Sequence, residues 1–192
     1  MKKKNIKYTI LKISYTLFKQ FGYHNVSVLQ ICQACQITKP TFYKHMKSKE
    51  NILNYYFQSI DNYIPDEWYC YRDVTNYWKH IETGFLYLVD HIQSVGLNLY
   101  TENFIANLKN ETQSLLEVRT FHDTICDLIE AGQQAKQILN PASSEDLYQI
   151  AMRLFSGYGA YWCMIQGKDD LKDEFIQGLA ASFCVNEEES HD

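Results

Sequence analysis

Between Ile6 and Met46 apolar residues recur every three or four positions in three short runs, and only Gln36-Ile37 separates the second run from the third. Such spacing lines one face of a helix with apolar side chains. The first run is Ile6, Ile10, Ile13, Leu17 and Phe21, with Ser14 and Phe18 beside them, and Gly22 stops it. Ser27 is a good N-cap residue, and Gln30 three positions later completes a capping box. Val28, Ile31, Cys32 and Cys35 give the second helix a buried face. Thr38 caps a third helix with Lys39 and Pro40 in its first turn, where a proline's missing N–H costs nothing. Phe42 and Met46, four apart, face inward. Two helices joined by so short a turn form a helix-turn-helix.

The third helix then exposes Lys39, Thr41, Tyr43, Lys44 and His45. Cations, a hydroxyl, an aromatic ring and an imidazole together suit phosphate oxygens and base edges. The charge pattern agrees. Residues 1–50 hold ten lysines and one acid, a net +9, whereas the rest of the chain carries a net −14. A basic segment on an acidic body suggests that one end meets a polyanion. Lys2, Lys3 and Lys4 suit a flexible arm along a DNA backbone and equally an unstructured tail.

The remainder also reads as helical. Only three prolines and eight glycines punctuate 192 residues. Ser48 caps a fourth helix with Ile52, Leu53, Tyr56, Phe57 and Ile60 on its apolar stripe. Val74, Tyr77, Ile81, Phe85, Leu88 and Ile92 mark the next, ending near Gly96, and Leu97 to Leu108 a shorter one. Leu115, Val118, Phe121, Ile125, Leu128 and Ile129 mark a long helix. Another, capped by Ser143 or Ser144, has Leu147, Ala151, Leu154, Tyr158, Tyr161 and Ile165 in register. Asp169 caps the last, with Leu171, Phe175, Leu179 and Phe183 inside. The expected fold class is all-α, about nine helices. The expected division is a helix-turn-helix DNA-binding head over residues 1–50, a helical body over 51–186 and an acidic tail over 187–192.

No apolar stretch approaches the roughly 20 residues of a membrane span, and the basic N-terminus has no small-residue cleavage site. A cytoplasmic protein is expected. The six cysteines have no framework spacing and are expected to be reduced and mostly buried. Cys32-x-x-Cys35 has no second ligand pair, so it reads as core packing rather than as a metal or redox site. No metal or cofactor is expected. The chain has no Ser/His/Asp constellation, phosphate-cradling loop, paired metal carboxylates or HExxH, which argues against an enzyme.

On Leu17-Phe18, Phe21-Gly22-Tyr23, Ser27-Val28-Leu29-Gln30-Ile31 and the run from Ile37 to Glu50, the sequence resembles the TetR family of bacterial transcription regulators. The close match covers about residues 10–57. The resemblance implies an Ω-shaped homodimer of nine- or ten-helix chains. Two heads would enter successive major grooves of a palindromic operator in double-stranded DNA, and the last two helices would form the dimer interface. It makes Lys39, Pro40, Thr41, Lys44 and His45 the groove-facing set. Thr38, Tyr43 and Lys49 would meet phosphates, and Ser27 would do so at the start of the second helix. This chain departs from the family pattern at Gln36, where glycine is frequent, and at Met46, where phenylalanine is frequent.

The resemblance also implies a small-molecule effector, of unknown identity, held by the middle helices. Tyr77, Trp78, Phe85, Tyr100, Phe104 and Phe121 suit the walls of a pocket for an apolar or planar ligand, and equally suit plain core. His80, Glu82, His91, Asn103 and His122 could orient such a ligand. The small residues of Ser156-Gly157-Tyr158-Gly159-Ala160 let another helix approach closely, which places the dimer interface on this helix and residues 170–184. The reading is a ligand-responsive repressor. The alternative is a TetR-like coactivator acting through a protein partner.

Overall fold

A computed structural model describes residues 6–58, 64–110 and 119–186. Among these, nine α-helices follow one another: α1 (Ile6–Phe21), α2 (Val28–Cys35), α3 (Lys39–His45), α4 (Glu50–Gln58), α5 (Tyr77–Val95), α6 (Leu97–Asn110), α7 (Arg119–Gln134), α8 (Ser144–Met164) and α9 (Leu171–Phe183). The fold is all-α. The one pairing of β type among the described residues is an isolated antiparallel bridge between Ile138 and Val185. No described helix is long and apolar enough to cross a membrane. Lys2 to Lys4, Ile60, Leu115, Val118 and the acidic tail 187–192 lie outside the described residues, as do the side chains of Tyr56 and Phe57.

The chain forms two compact units. One comprises residues 1–59 with 95–115, the other residues 60–94 with 116–192. In the first, α1 packs against α2, α3 and α4, and α6 packs against α4. Its core holds Ile10, Phe18, Val26, Ile31, Phe42, Met46, Ile52 and Leu53. The buried line of α1 is Ile10, Ser14 and Phe18. Ile6 and Phe21, expected inside, are exposed, because the helix turns the i, i+4 line through Ile10 toward its neighbours. The His24 ring Nε2 lies 2.8 Å from Glu102 Oε1, a hydrogen bond that ties the α1–α2 turn to α6.

The second unit is built on a run of aromatic rings. Trp68 stacks on Phe121 at 5.5 Å, Phe121 meets Phe85 at 5.4 Å, Phe85 meets Phe175 at 5.6 Å, and Phe175 meets Phe155 at 5.6 Å. Trp68 lies in a single 3-10 turn, Asp66–Tyr69, which periodicity does not reveal. Its indole N–H donates to the His80 carbonyl at 3.0 Å. Gly84 makes room for it, since a Cβ there would lie 2.3 Å from the indole. Gln137 is buried, and its side chain serves the start of α5. Its Oε1 accepts from the N–H groups of Tyr77 and Trp78, and its Nε2 donates to the Thr75 carbonyl. These bonds satisfy donors that a helix leaves orphaned at its first turn. Val74, expected in α5, precedes the helix.

Three other expectations are corrected here. Asp170 rather than Asp169 caps α9, its Oδ1 accepting from Lys172 N–H at 2.9 Å. On α8 the buried line is Leu147, Ala151 and Phe155, so Leu154, Tyr158 and Tyr161 form a second apolar flank. Of the six cysteines only Cys32 is buried, and Cys70 and Cys184 are exposed.

Burial also sets a pH dependence. His91 is 4% exposed, and burial pushes its imidazole down to about 4. In an unfolded chain the same group titrates near 6.5. Between those values the unfolded state binds the extra proton, so stability is full above pH of about 6.5 and falls as pH drops toward about 4. Unfolding midpoints measured across this range should show that fall, and His91→Leu should flatten it. An equal slope in both proteins contradicts the assignment.

Candidate nucleic-acid interface

Local rules place the exposed face of α3. The Ser27 hydroxyl accepts from Gln30 N–H at 3.3 Å, and Gln30 Oε1 accepts from Ser27 N–H at 2.8 Å. This reciprocal box starts α2 and leaves Ser27 exposed at its N-terminus. Gln36 then reverses the chain in a left-handed conformation, φ 55° and ψ 44°. A side chain there costs roughly 1 kcal/mol. Gln36→Gly should therefore raise stability by up to about 1 kcal/mol, less glycine's own entropy loss. Chemical denaturation measures this, and a loss of stability would contradict a strained turn.

Thr38 caps α3, its Oγ1 accepting from Thr41 N–H at 3.4 Å and lying 2.9 Å from Thr41 Oγ1. Pro40 sits in the first turn. Phe42 and Met46 are both 0% exposed and hold the helix down. The opposite face presents Lys39, Pro40, Tyr43 and Lys44 to solvent, with Thr41 and His45 half-buried at its edges. The Tyr43 ring is held edge-on to Phe42 at 5.3 Å, which directs it outward. Neither Lys39 nor Lys44 forms an ion pair among the described residues. Cations on a surface without partnering acids are what a polyanion meets most favourably.

Lys49 is placed differently from the rest. It precedes α4, and its ammonium donates to the carbonyls of Tyr23 at 3.0 Å and Val26 at 3.1 Å. It also lies 4.1 Å from the centre of the Tyr23 ring. Burial lowers its pKa. The partners that explain a cation at this helix start are thus the carbonyls of the α1–α2 turn. They clamp that turn against α4 and leave one N–H of the ammonium for an outside acceptor.

The aromatic residues named for an effector pocket fall in both units. Phe85 and Phe121 belong to the ring run of the second unit, and Trp78 packs edge-on against Phe183 at 5.9 Å. Tyr77 is half-buried at the start of α5. In the first unit Tyr100 is fully buried and half-buried Phe104 lies 6.5 Å from it, centre to centre. On the small-residue stretch of α8 lies a largely apolar groove of about 480 Å³, lined by Ile150, Leu154, Gly157, Tyr158 and Tyr161 with Arg153 and Glu174 also contributing, and a Cβ at Gly157 would meet nothing within 4 Å. Gly178 of α9 has the opposite role, receiving the Tyr158 hydroxyl of the same chain.

Comparison with known proteins agrees with this geometry. The profile of the bacterial regulatory proteins of the tetR family matches residues 10–60. The Transposon Tn10 TetC protein of Escherichia coli is 33% identical over 87 residues, 43% of this chain. The uncharacterized HTH-type transcriptional regulator YuxN of Bacillus subtilis is 39% identical over 119 residues, 56% of this chain. The matched segments span only 42% and 41% of those two relatives' own lengths. In shape, Thermus thermophilus FadR, solved in complex with lauroyl-CoA, superposes with a TM-score of 0.74 at 16% identity over 92% of each chain. The reduced form of Escherichia coli NemR superposes with a TM-score of 0.63 at 12% identity, over 95% of this chain and 99% of that one. At such identities the likeness concerns the fold alone. Residues 10–60, with their helix-turn-helix and its outward cationic face, are thus a DNA-binding segment of the TetR family of bacterial regulatory proteins.

Proposed function

We propose that this chain is a sequence-specific DNA-binding transcription regulator, a ligand-responsive repressor that grips a palindromic operator as a homodimer. The observation that carries the reading is the α3 face. Lys39, Tyr43 and Lys44 stand outward on a helix pinned by Phe42 and Met46. Lys39, Pro40, Thr41, Lys44 and His45 face the groove in this proposal. Ser27, Thr38 and Tyr43 meet phosphates, with Lys49 contributing its remaining N–H. The TetR family consists of regulators rather than enzymes.

The outer flank of α8 is the dimer surface in this reading. Ile150, Leu154, Gly157 and Tyr161 recur at helical spacing, and the open space over Gly157 suits a partner helix. A two-fold pair sets the recognition helices about 34–36 Å apart to meet successive major grooves. An apolar or planar effector shifts that spacing. Moving the population from mostly bound to mostly released requires a preference of about 5.5 kcal/mol for the released state. The α4–α6 packing and the His24–Glu102 pair support α6 as the lever, since both join it to the head.

Selection of bound fragments from random duplex DNA at fixed salt, with and without cell metabolites, tests the reading. Enrichment of an inverted repeat that metabolites weaken supports it. Failure to enrich any duplex, with capture of a protein instead, favours the coactivator alternative.

A further inference from the structure

His122 and Cys126 lie four residues apart on α7, so their side chains leave one face a turn apart. Glu145 comes from the first turn of α8 and brings Oε2 to 2.7 Å from His122 Nε2. Cys126 Sγ lies 3.8 Å from the same nitrogen. One ligand atom from each of the three residues lies within 4.8 Å of the other two. We propose that His122, Cys126 and Glu145 form a binding site for a divalent transition metal of the zinc class, with a fourth coordination position open to water or an external ligand.

The distances fit with small side-chain adjustments. Tetrahedral zinc with bonds of about 2.0–2.1 Å to nitrogen and oxygen and about 2.3 Å to sulfur sets N···S near about 3.6 Å and N···O near about 3.3 Å. The Cys126 sulfur is already close to that spacing, and the Glu145 carboxylate has to withdraw slightly. The outer shell is in place as well. Asp123 Oδ1 lies 2.8 Å from His122 Nδ1. A carboxylate on that nitrogen holds its proton there and turns the Nε2 lone pair toward a metal, the arrangement usual for metal-bound histidine. The Tyr148 ring abuts the imidazole at 4.6 Å, edge to face, and fixes its plane.

The donor set points to the metal class. A thiolate with an imidazole and a carboxylate disfavours magnesium and calcium, which prefer all-oxygen shells, and suits zinc. In the metal-free chain the hydrogen bond between His122 Nε2 and Glu145 occupies the place that the metal would take. Metal binding would break that bond and release its proton, with the thiol proton, to solvent. The site uses none of the DNA-facing residues, so metal uptake and operator binding can fail separately.

Titrating the reduced, metal-stripped full chain with Co²⁺, without DNA, tests the proposal. The expected result is one Co²⁺ per chain, a thiolate-to-cobalt charge-transfer band and the visible spectrum of a tetrahedral centre, with Zn²⁺ displacing the cobalt. Cys126→Ser should abolish the charge-transfer band, whereas the pair Cys32→Ser with Cys35→Ser should retain it. Asp123→Asn should weaken binding roughly 10- to 100-fold. Should Cys126→Ser fail to fold, exposed Glu145→Gln decides: weakened Co²⁺ binding with unchanged helix content supports the site, and equal affinity overturns it. An octahedral spectrum without the thiolate band also overturns it and leaves a plain His122–Glu145 ion pair.

Discussion

Combining Lys39→Ala, Tyr43→Phe and Lys44→Ala should lower affinity for the selected operator by at least about a hundredfold while leaving the fold intact. Each side chain is exposed on α3, so its removal leaves no cavity. A lysine bonded to a base costs about 1–3 kcal/mol when lost, and one bonded to a phosphate weakens all sequences alike. The salt dependence separates the two roles. Each phosphate-contacting lysine contributes about 0.9 to the slope of log affinity against log salt, so two such lysines flatten it by about two. If the slope stays and discrimination between operator and random DNA falls, the lysines read bases. Unchanged affinity at every salt concentration would remove α3 from the interface.

Phe42→Ala should have a comparable effect on DNA binding by an opposite route. Phe42 touches no solvent, and it anchors α3 from within the head. Truncating a fully buried phenylalanine typically costs about 3–5 kcal/mol in lost transfer energy and cavity. Against a usual total of about 5–15 kcal/mol, that is a large fraction. Operator binding should therefore fall together with the unfolding midpoint, whereas the exposed triple variant loses binding alone. Denaturant unfolding beside DNA titration of both variants checks this. A Phe42→Ala protein of normal stability would show that α3 is not held as described.

The head was legible in the sequence because its signals are local. Ser27 with Gln30, Thr38 with Pro40, and Phe42 with Met46 each act within one helical turn, and all three appear in the structure as read. What the sequence did not show depends on distant partners. The start of the fourth helix shows a capping Ser48 and, beside it, a lysine. That its ammonium reaches the carbonyls of Tyr23 and Val26 depends on how the α1–α2 turn packs against α4. On α8, apolar residues cover two faces, and periodicity cannot say which one meets α7 and α9. The Trp68 turn has no period at all, and its signal is indirect, a glycine at 84 inside a long helix. His122 and Cys126 show their spacing in sequence, but Glu145 joins them only through the meeting of α7 and α8.

Footprinting the selected duplex with the intact protein tests the central claim most directly. The account predicts two protected patches related by a dyad, centred about one helical turn apart, with two chains bound per duplex. A single patch without symmetry, or protection that persists when Lys39, Tyr43 and Lys44 are all replaced, would contradict it.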